Sequence, residues 1–265
     1  MKFLIQKFPA GITHDFAFTL IESIRFNNWL HNEEHDKKMG YRLIKYTPDC
    51  FKPYHQKYIP IGSVEFVTAF LQHFYGLTPK PINIQEELFD ICYTQRKIFN
   101  GTHLSLENHI GTFFVKSNDK IKYFTELVDC NENGMYGTTY SVSIPDGNYQ
   151  ISEYLGGIDS EWRAFVYDGK LVGLQNYSGD FTKFPNVSTI KSMIYAYKSA
   201  PVAYTLDVAV CAYTTVIIEV HDFFSCGLYG FADHKILPYM FRRWFSHYTK
   251  GISYNKIHKT KPYND

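Results

Sequence analysis

Residues 161–175 constrain this chain more than any other stretch. Glu161-Trp162-Arg163-Ala164-Phe165-Val166-Tyr167 alternates strictly, Asp168-Gly169 follows, and Lys170-Leu171-Val172-Gly173-Leu174-Gln175 leads away. Asp-Gly between such runs suits a two-residue turn that needs positive φ twice, so the stretch predicts a β-hairpin. Period two puts Glu161 and Arg163 on one side of the first strand, so Arg163 points into whatever cavity that face bounds.

The strand pattern starts at about residue 111. Thr112–Lys116 and Ile121–Thr125 read as strands joined by the polar turn Ser117-Asn118-Asp119-Lys120. Ser188–Lys198 reads as a short helix stopping before Pro201, and Ala203–Val210 with Thr214–Val220 as an antiparallel pair. Upstream the pattern mixes α and β. Phe3-Leu4-Ile5 predicts a first strand, and Thr13 is placed to cap a helix running from Phe16 to Trp29. Ser63–Tyr75 predicts a second helix closed by Gly76. His234–Lys250 predicts a basic amphipathic helix with Ile236, Leu237, Met240, Phe241, Trp244 and Phe245 on its apolar side. The fold class is α+β.

Composition narrows the function classes. At 265 residues with 45% hydrophobic content the chain can bury a core, so it is not disordered. Its apolar runs, such as Val208–Ala212, fall far short of the roughly 20 residues that span a bilayer. No membrane role is expected, and the N-terminus lacks a secretory pattern, which points to the cytoplasm. Five cysteines without a Cys-x-x-Cys argue against a disulfide framework or structural zinc. Net charge is +1, but seven Lys and Arg and no acid lie between residues 234 and 261. That segment is either a closing helix whose basic side chains snorkel, or a dock for an acidic partner. His31-Asn32-Glu33-Glu34-His35 fits a zinc-protease spacing, but its setting reads as a solvated helix end.

Two acids interrupt apolar strands: Asp207 in Tyr204–Val210 and Glu219 in Val216–Val220, with His221-Asp222 following. A carboxylate in a β-branched run is costly to bury unless paired or metal-bound. Each alone can simply face solvent. On neighbouring antiparallel strands the two can converge, and oxygen ligands held so suit magnesium, which also takes phosphates. Lys116 ends an apolar strand and Lys122 lies on the next; they either face solvent or hold phosphate oxygens.

These features occur in a fixed order, and residues from about 111 to 231 resemble an ATP-grasp domain, most of all a small clade frequent in bacteriophages and bacteria. The matching segments are Phe114-Val115-Lys116, Lys122-Tyr123-Phe124-Thr125, Ser152-Glu153-Tyr154-Leu155, Glu161 to Lys170, Leu206-Asp207-Val208 and Ile218-Glu219-Val220-His221-Asp222. Cys226-Gly227-Leu228-Tyr229-Gly230 looks like the clade's terminal segment. About half the chain is covered.

The resemblance implies an ATP-grasp fold, two α+β subdomains clamping ATP, after a small α/β N-terminal domain. The boundaries expected are 1–95, then 96–232 for the ATP-grasp unit, then 233–265 for the basic helix and tail. It implies that Lys116 and Lys122 contact phosphates, that Glu153, Tyr154 and Leu155 form a hinge reading adenine mostly by backbone, and that Glu161 binds ribose hydroxyls. Arg163 would face the γ-phosphate and the acyl intermediate; with Lys122 it is the catalytic candidate. Asp207 and Glu219 would hold magnesium. His221 stands where the family usually has Asn, so Asp222 substitutes, or two residues bind alone, or manganese is preferred. The activity implied is ATP-dependent ligation of a small-molecule or peptide carboxylate to an amine through an acyl phosphate, in the host cytoplasm if the gene is a phage's. The other readings are an ATP-grasp kinase and a catalytically altered binding module.

Overall fold

The computed structural model describes residues 1–9, 14–32, 38–121, 123–134, 136–138 and 143–250. In chain order the elements are β1 (Lys2–Lys7), α1 (Asp15–Leu30), β2 (Gly40–Lys45), β3 (Ile59–Ile61), α2 (Val64–Tyr75), α3 (Ile91–Thr94), β4 (Ile98–Thr102) and β5 (Gly111–Ser117). There follow β6 (Thr125–Cys130), β7 (Tyr136–Thr138), β8 (Asn148–Glu153), β9 (Ile158–Tyr167), β10 (Lys170–Gly179), α4 (Val187–Ala196), β11 (Ala203–Cys211), β12 (Thr214–Asp222) and α5 (Leu237–Thr249). They gather into two units: 1–78 with 201–204 and 222–265, and 79–200 with 205–221.

The first unit is built on a parallel sheet in the order β2-β1-β3. Phe3, Leu4 and Ile5 of β1 are all fully buried, as suits a strand covered on both faces. Phe66, Phe70 and Phe74 share a face of α2 at helical spacing and are fully buried. The C-terminal helix α5 belongs to this unit: Phe245 meets Phe70 edge-on, and Phe241 and Trp244 pack against Phe223 and Phe224. Aromatic side chains thus supply much of this unit's core. Arg242 and Arg243 stay exposed on the other side of α5. No described helix is long and apolar enough to cross a membrane.

Local signals explain most helix ends. Ser63 caps α2 by accepting from the Phe66 N–H, and Gly76 closes it at φ 65°. Ser63→Ala should therefore cost about 1 kcal/mol in denaturant unfolding, with an unchanged slope; no loss would mean the cap is idle. For α1 the cap residue is His14, without a side-chain bond, and Thr13 lies outside the described residues. Helix α5 starts at Leu237, not His234, because Pro238 favours a first turn and the His234 ring is held by Ser23 Oγ.

The second unit holds a five-stranded antiparallel sheet, β4-β8-β5-β6-β7, and a four-stranded sheet, β10-β9-β11-β12. In β5, Phe113 and Val115 enter an apolar cluster with Val128, Tyr149 and Ile151, which leaves Phe114 and Lys116 on the opposite face. Strand β6 begins at Thr125, so the predicted strand 121–125 is displaced. A longer loop occupies that place: Asp119 is fastened to the Asn148 N–H, and the Ser117 N–H bonds to Phe124 O. The hairpin turn falls on Asp168 and Gly169, at φ 51° and 70°. In β10 the register slips between Asn176 and Ser178, leaving Tyr177 as the extra residue of a bulge.

Candidate active site

Neighbouring strands β9 and β11 bring Arg163 against Asp207. The guanidinium grips both carboxylate oxygens, with Nε 2.8 Å from Oδ1 and Nη2 2.7 Å from Oδ2. The side chains are 8% and 2% exposed, so this is a buried, bidentate ion pair. On β12, alternation turns Glu219 and His221 to one face. His221 Nε2 lies 2.7 Å from Glu219 Oε2 and 3.9 Å from Asp207 Oδ2. Lys116 Nζ bonds Glu219 Oε1 from β5. One donor atom each from Asp207, Glu219 and His221 falls within a 4.8 Å span, a set that fits a divalent cation.

Electrostatics keep Glu219 charged. Burial by itself would raise the Glu219 carboxyl, but the bond from His221, the imidazole charge and Lys116 outweigh it and hold the pKa at about 2. Tyr177 reaches across from its bulge, and its hydroxyl donates to Glu161 Oε2 at 2.8 Å. Its ring lies beside Arg163, with the guanidinium carbon 5.8 Å from the ring centroid. Burial, the Asp207 charge and the Glu161 bond all raise the Tyr177 pKa, so the phenol stays a donor.

Not every residue chosen from sequence converges. Lys116, Arg163, Asp207, Glu219 and His221 do. Asp222 does not: it is one step further along β12, on the other face, and its Oδ2 accepts from the Tyr248 hydroxyl at 2.5 Å. Lys122 lies outside the described residues. Glu161 engages Tyr177. At the end of β8 the Glu153 and Tyr154 N–H groups bond Lys97 O and Thr112 O. Both N–H groups are thus already taken by backbone carbonyls. Glu153 Oε2 also accepts from the Lys97 N–H, while Leu155 packs on Ala209, Cys211 and Val216.

Arg96 is the residue that sequence reasoning passed over. It is buried, donates from Nη1 to Thr94 O and Ile217 O, and burial draws its pKa down to about 10, so it stays charged. With Phe114, Lys116, Ser152, Ile218 and Glu219 it lines a crevice of about 10 Å³. The one available signal was the Arg96-Lys97 pair at the entry to β4. A polar cleft of about 460 Å³ adjoins it through Asn83, Ile84 and Gln150, with Glu86 and Glu87 in its wall.

Lys116 from the five-stranded sheet and Arg163 from the four-stranded sheet thus meet a carboxylate–imidazole trio within one α+β unit. The chain belongs to the ATP-grasp domain, R2K clade family 2, whose family model matches residues 93–238. Among solved structures it is similar to a RimK domain ATP-grasp protein from Sphaerobacter thermophilus DSM 20745, at 10% identity over 95% of this chain and 100% of that one, with a TM-score of 0.50. It is also similar to D-alanine–D-alanine ligase from Bacillus anthracis, at 13% identity over 98% and 99% of the two chains, TM-score 0.46. Phosphoribosylglycinamide synthetase from Anaerococcus prevotii gives 14% identity over 95% and 78%, TM-score 0.41. At such identities a likeness speaks at most to fold, and of these three only the RimK domain protein, at a TM-score of 0.50, bears on it. No curated protein sequence matches.

Proposed function

We propose that this protein is an ATP- and divalent-metal-dependent ligase that joins a carboxylate to an amine through an acyl phosphate. The observation that carries the reading is the meeting of Lys116 and Arg163 with Asp207, Glu219 and His221 in one unit of an ATP-grasp protein. Phosphoryl transfer asks a protein chiefly for positioning and charge neutralisation, and these residues have that chemistry.

Without ligands the two carboxylates and two cations neutralise each other in pairs. Triphosphate oxygens compete for the same lysine and guanidinium donors, and Arg binds phosphate in the bidentate manner it now uses on Asp207. Lys116 and Arg163 can thus trade carboxylate for phosphate, which frees Asp207 and Glu219 to ligate. A divalent cation held by Asp207, Glu219 and His221 would supply charge neutralisation at the transferring phosphoryl group. Arg163, released by Asp207 and flanked by the Tyr177 ring, then faces the γ-phosphate that the substrate carboxylate attacks. Arg96 adds a fixed positive charge to the crevice wall. Arg242 and Arg243 on the exposed side of α5 remain the proposed dock for an acidic partner.

The test is turnover with metal and ATP across a panel of carboxylates, with hydroxylamine as the trapping amine. The expected result is a hydroxamate formed with equal amounts of ADP and free phosphate, only when the right carboxylate is present. ADP without free phosphate would make the protein a kinase. Tight binding of an ATP analogue with no turnover on any carboxylate would make it a binding module.

A further inference from the structure

The donor set of the trio is not the one magnesium prefers. Magnesium is a hard ion that asks for near-octahedral oxygen ligands and keeps several waters. Imidazole nitrogen favours first-row transition ions, while carboxylates serve manganese as well as magnesium. Here one imidazole nitrogen shares the cluster with two carboxylates: His221 Nε2 lies 2.7 Å from a Glu219 oxygen and 3.9 Å from an Asp207 oxygen. The nitrogen is therefore among the ligand atoms of the cluster and not beside it, within the same 4.8 Å span. Alternation on β12 fixes this, because His221 cannot leave the Glu219 face without a register slip that would also turn Glu219 away. The alternative oxygen ligand, Asp222, is held on the opposite face by Tyr248.

We infer that this site is selective for a transition divalent ion of the manganese type over magnesium, and that His221 Nε2 is the ligand that makes it so. The inference rests on the trio being the metal site of the proposed function, but not on ligation chemistry. Two carboxylates keep the site hard enough for manganese, and the lone imidazole adds affinity that magnesium gains little from. Cobalt should bind more tightly still, by the general order of divalent affinities.

The experiment uses the full chain, stripped with a chelator, with and without a non-hydrolysable ATP analogue. Free Mn2+ is followed by its paramagnetic resonance signal as Mn2+ and then Mg2+ are added. Pulsed resonance on bound Mn2+ reads whether a nitrogen is directly coordinated. The expected wild-type result is a nitrogen coupling, with His221→Asn removing it and lowering the Mn2+ to Mg2+ affinity ratio by on the order of tenfold. His221→Gln, a second oxygen donor, should behave like His221→Asn and covers a failure of either variant to fold. A wild-type manganese spectrum without nitrogen coupling, or an affinity ratio the same in wild type and both variants, would overturn the inference. The two readings fail separately. Mg2+-supported ligation without nitrogen coupling leaves the function and removes the selectivity, whereas coupling without turnover does the reverse.

Discussion

Asp207→Ala should destabilise the protein by about 3–5 kcal/mol, the range for removing one partner of a buried ion pair. Arg163 is 8% exposed and both oxygens of Asp207 are bonded to it, so water cannot replace the lost anion. The loss comes mainly from a guanidinium stranded in low dielectric, not from the value of the pair itself. That distinction can be measured. Arg163→Met together with Asp207→Leu removes both charges and should recover most of the loss, since apolar replacements of a whole buried pair are often neutral. Urea unfolding in the presence of chelator, with the slope compared between variants, reports both numbers without interference from metal binding. A loss below about 1 kcal/mol for Asp207→Ala is what an exposed pair would give, and would mean that the pair is not buried in solution.

The same pair shows why half of the site was readable from sequence. Arg163 sits in a strand whose alternation and Asp-Gly turn are local properties, so its face followed from period two. Asp207 and Glu219 drew notice because ionised groups in β-branched strands need a reason. What was not readable depends on long-range register. Arg96 is buried because Ile217, 121 residues later, offers it a carbonyl. Asp222 reads like a ligand in sequence, yet it is turned to Tyr248, 26 residues on. Tyr177 reaches Glu161 only through a bulge that no turn residue announces. The displaced start of β6 has a similar cause, since the loop before it is set by Asn148 on a strand not adjacent in sequence.

Glu219→Gln should leave the fold standing and lower turnover about 10²–10³-fold, the effect of losing one pre-placed charge-stabilising group. Gln is near-isosteric, but its single amide oxygen can take over only one of the two positions that Lys116 and His221 hold on Glu219, and it is a neutral and much weaker metal ligand. The wild-type carboxyl titrates at about 2 against 4.5 for an ordinary glutamate, because His221 and Lys116 favour its charged form over the opposing effect of burial. A depressed folded pKa stabilises the protein fully above pH 4.5, and that stability is lost as pH falls towards 2. The Gln variant lacks this component, so its stability should fall less steeply than wild type between pH 4.5 and 2. Adding Lys116→Met to Glu219→Gln removes the cation left without its counter-charge and should restore stability at pH 7 without restoring turnover. Stability is then reporting the ion network and turnover the ligand, which one substitution alone could not separate. Full turnover in Glu219→Gln, measured at saturating metal, would reduce Lys116, Glu219 and His221 to a structural ion network and send the search for the metal elsewhere in the unit.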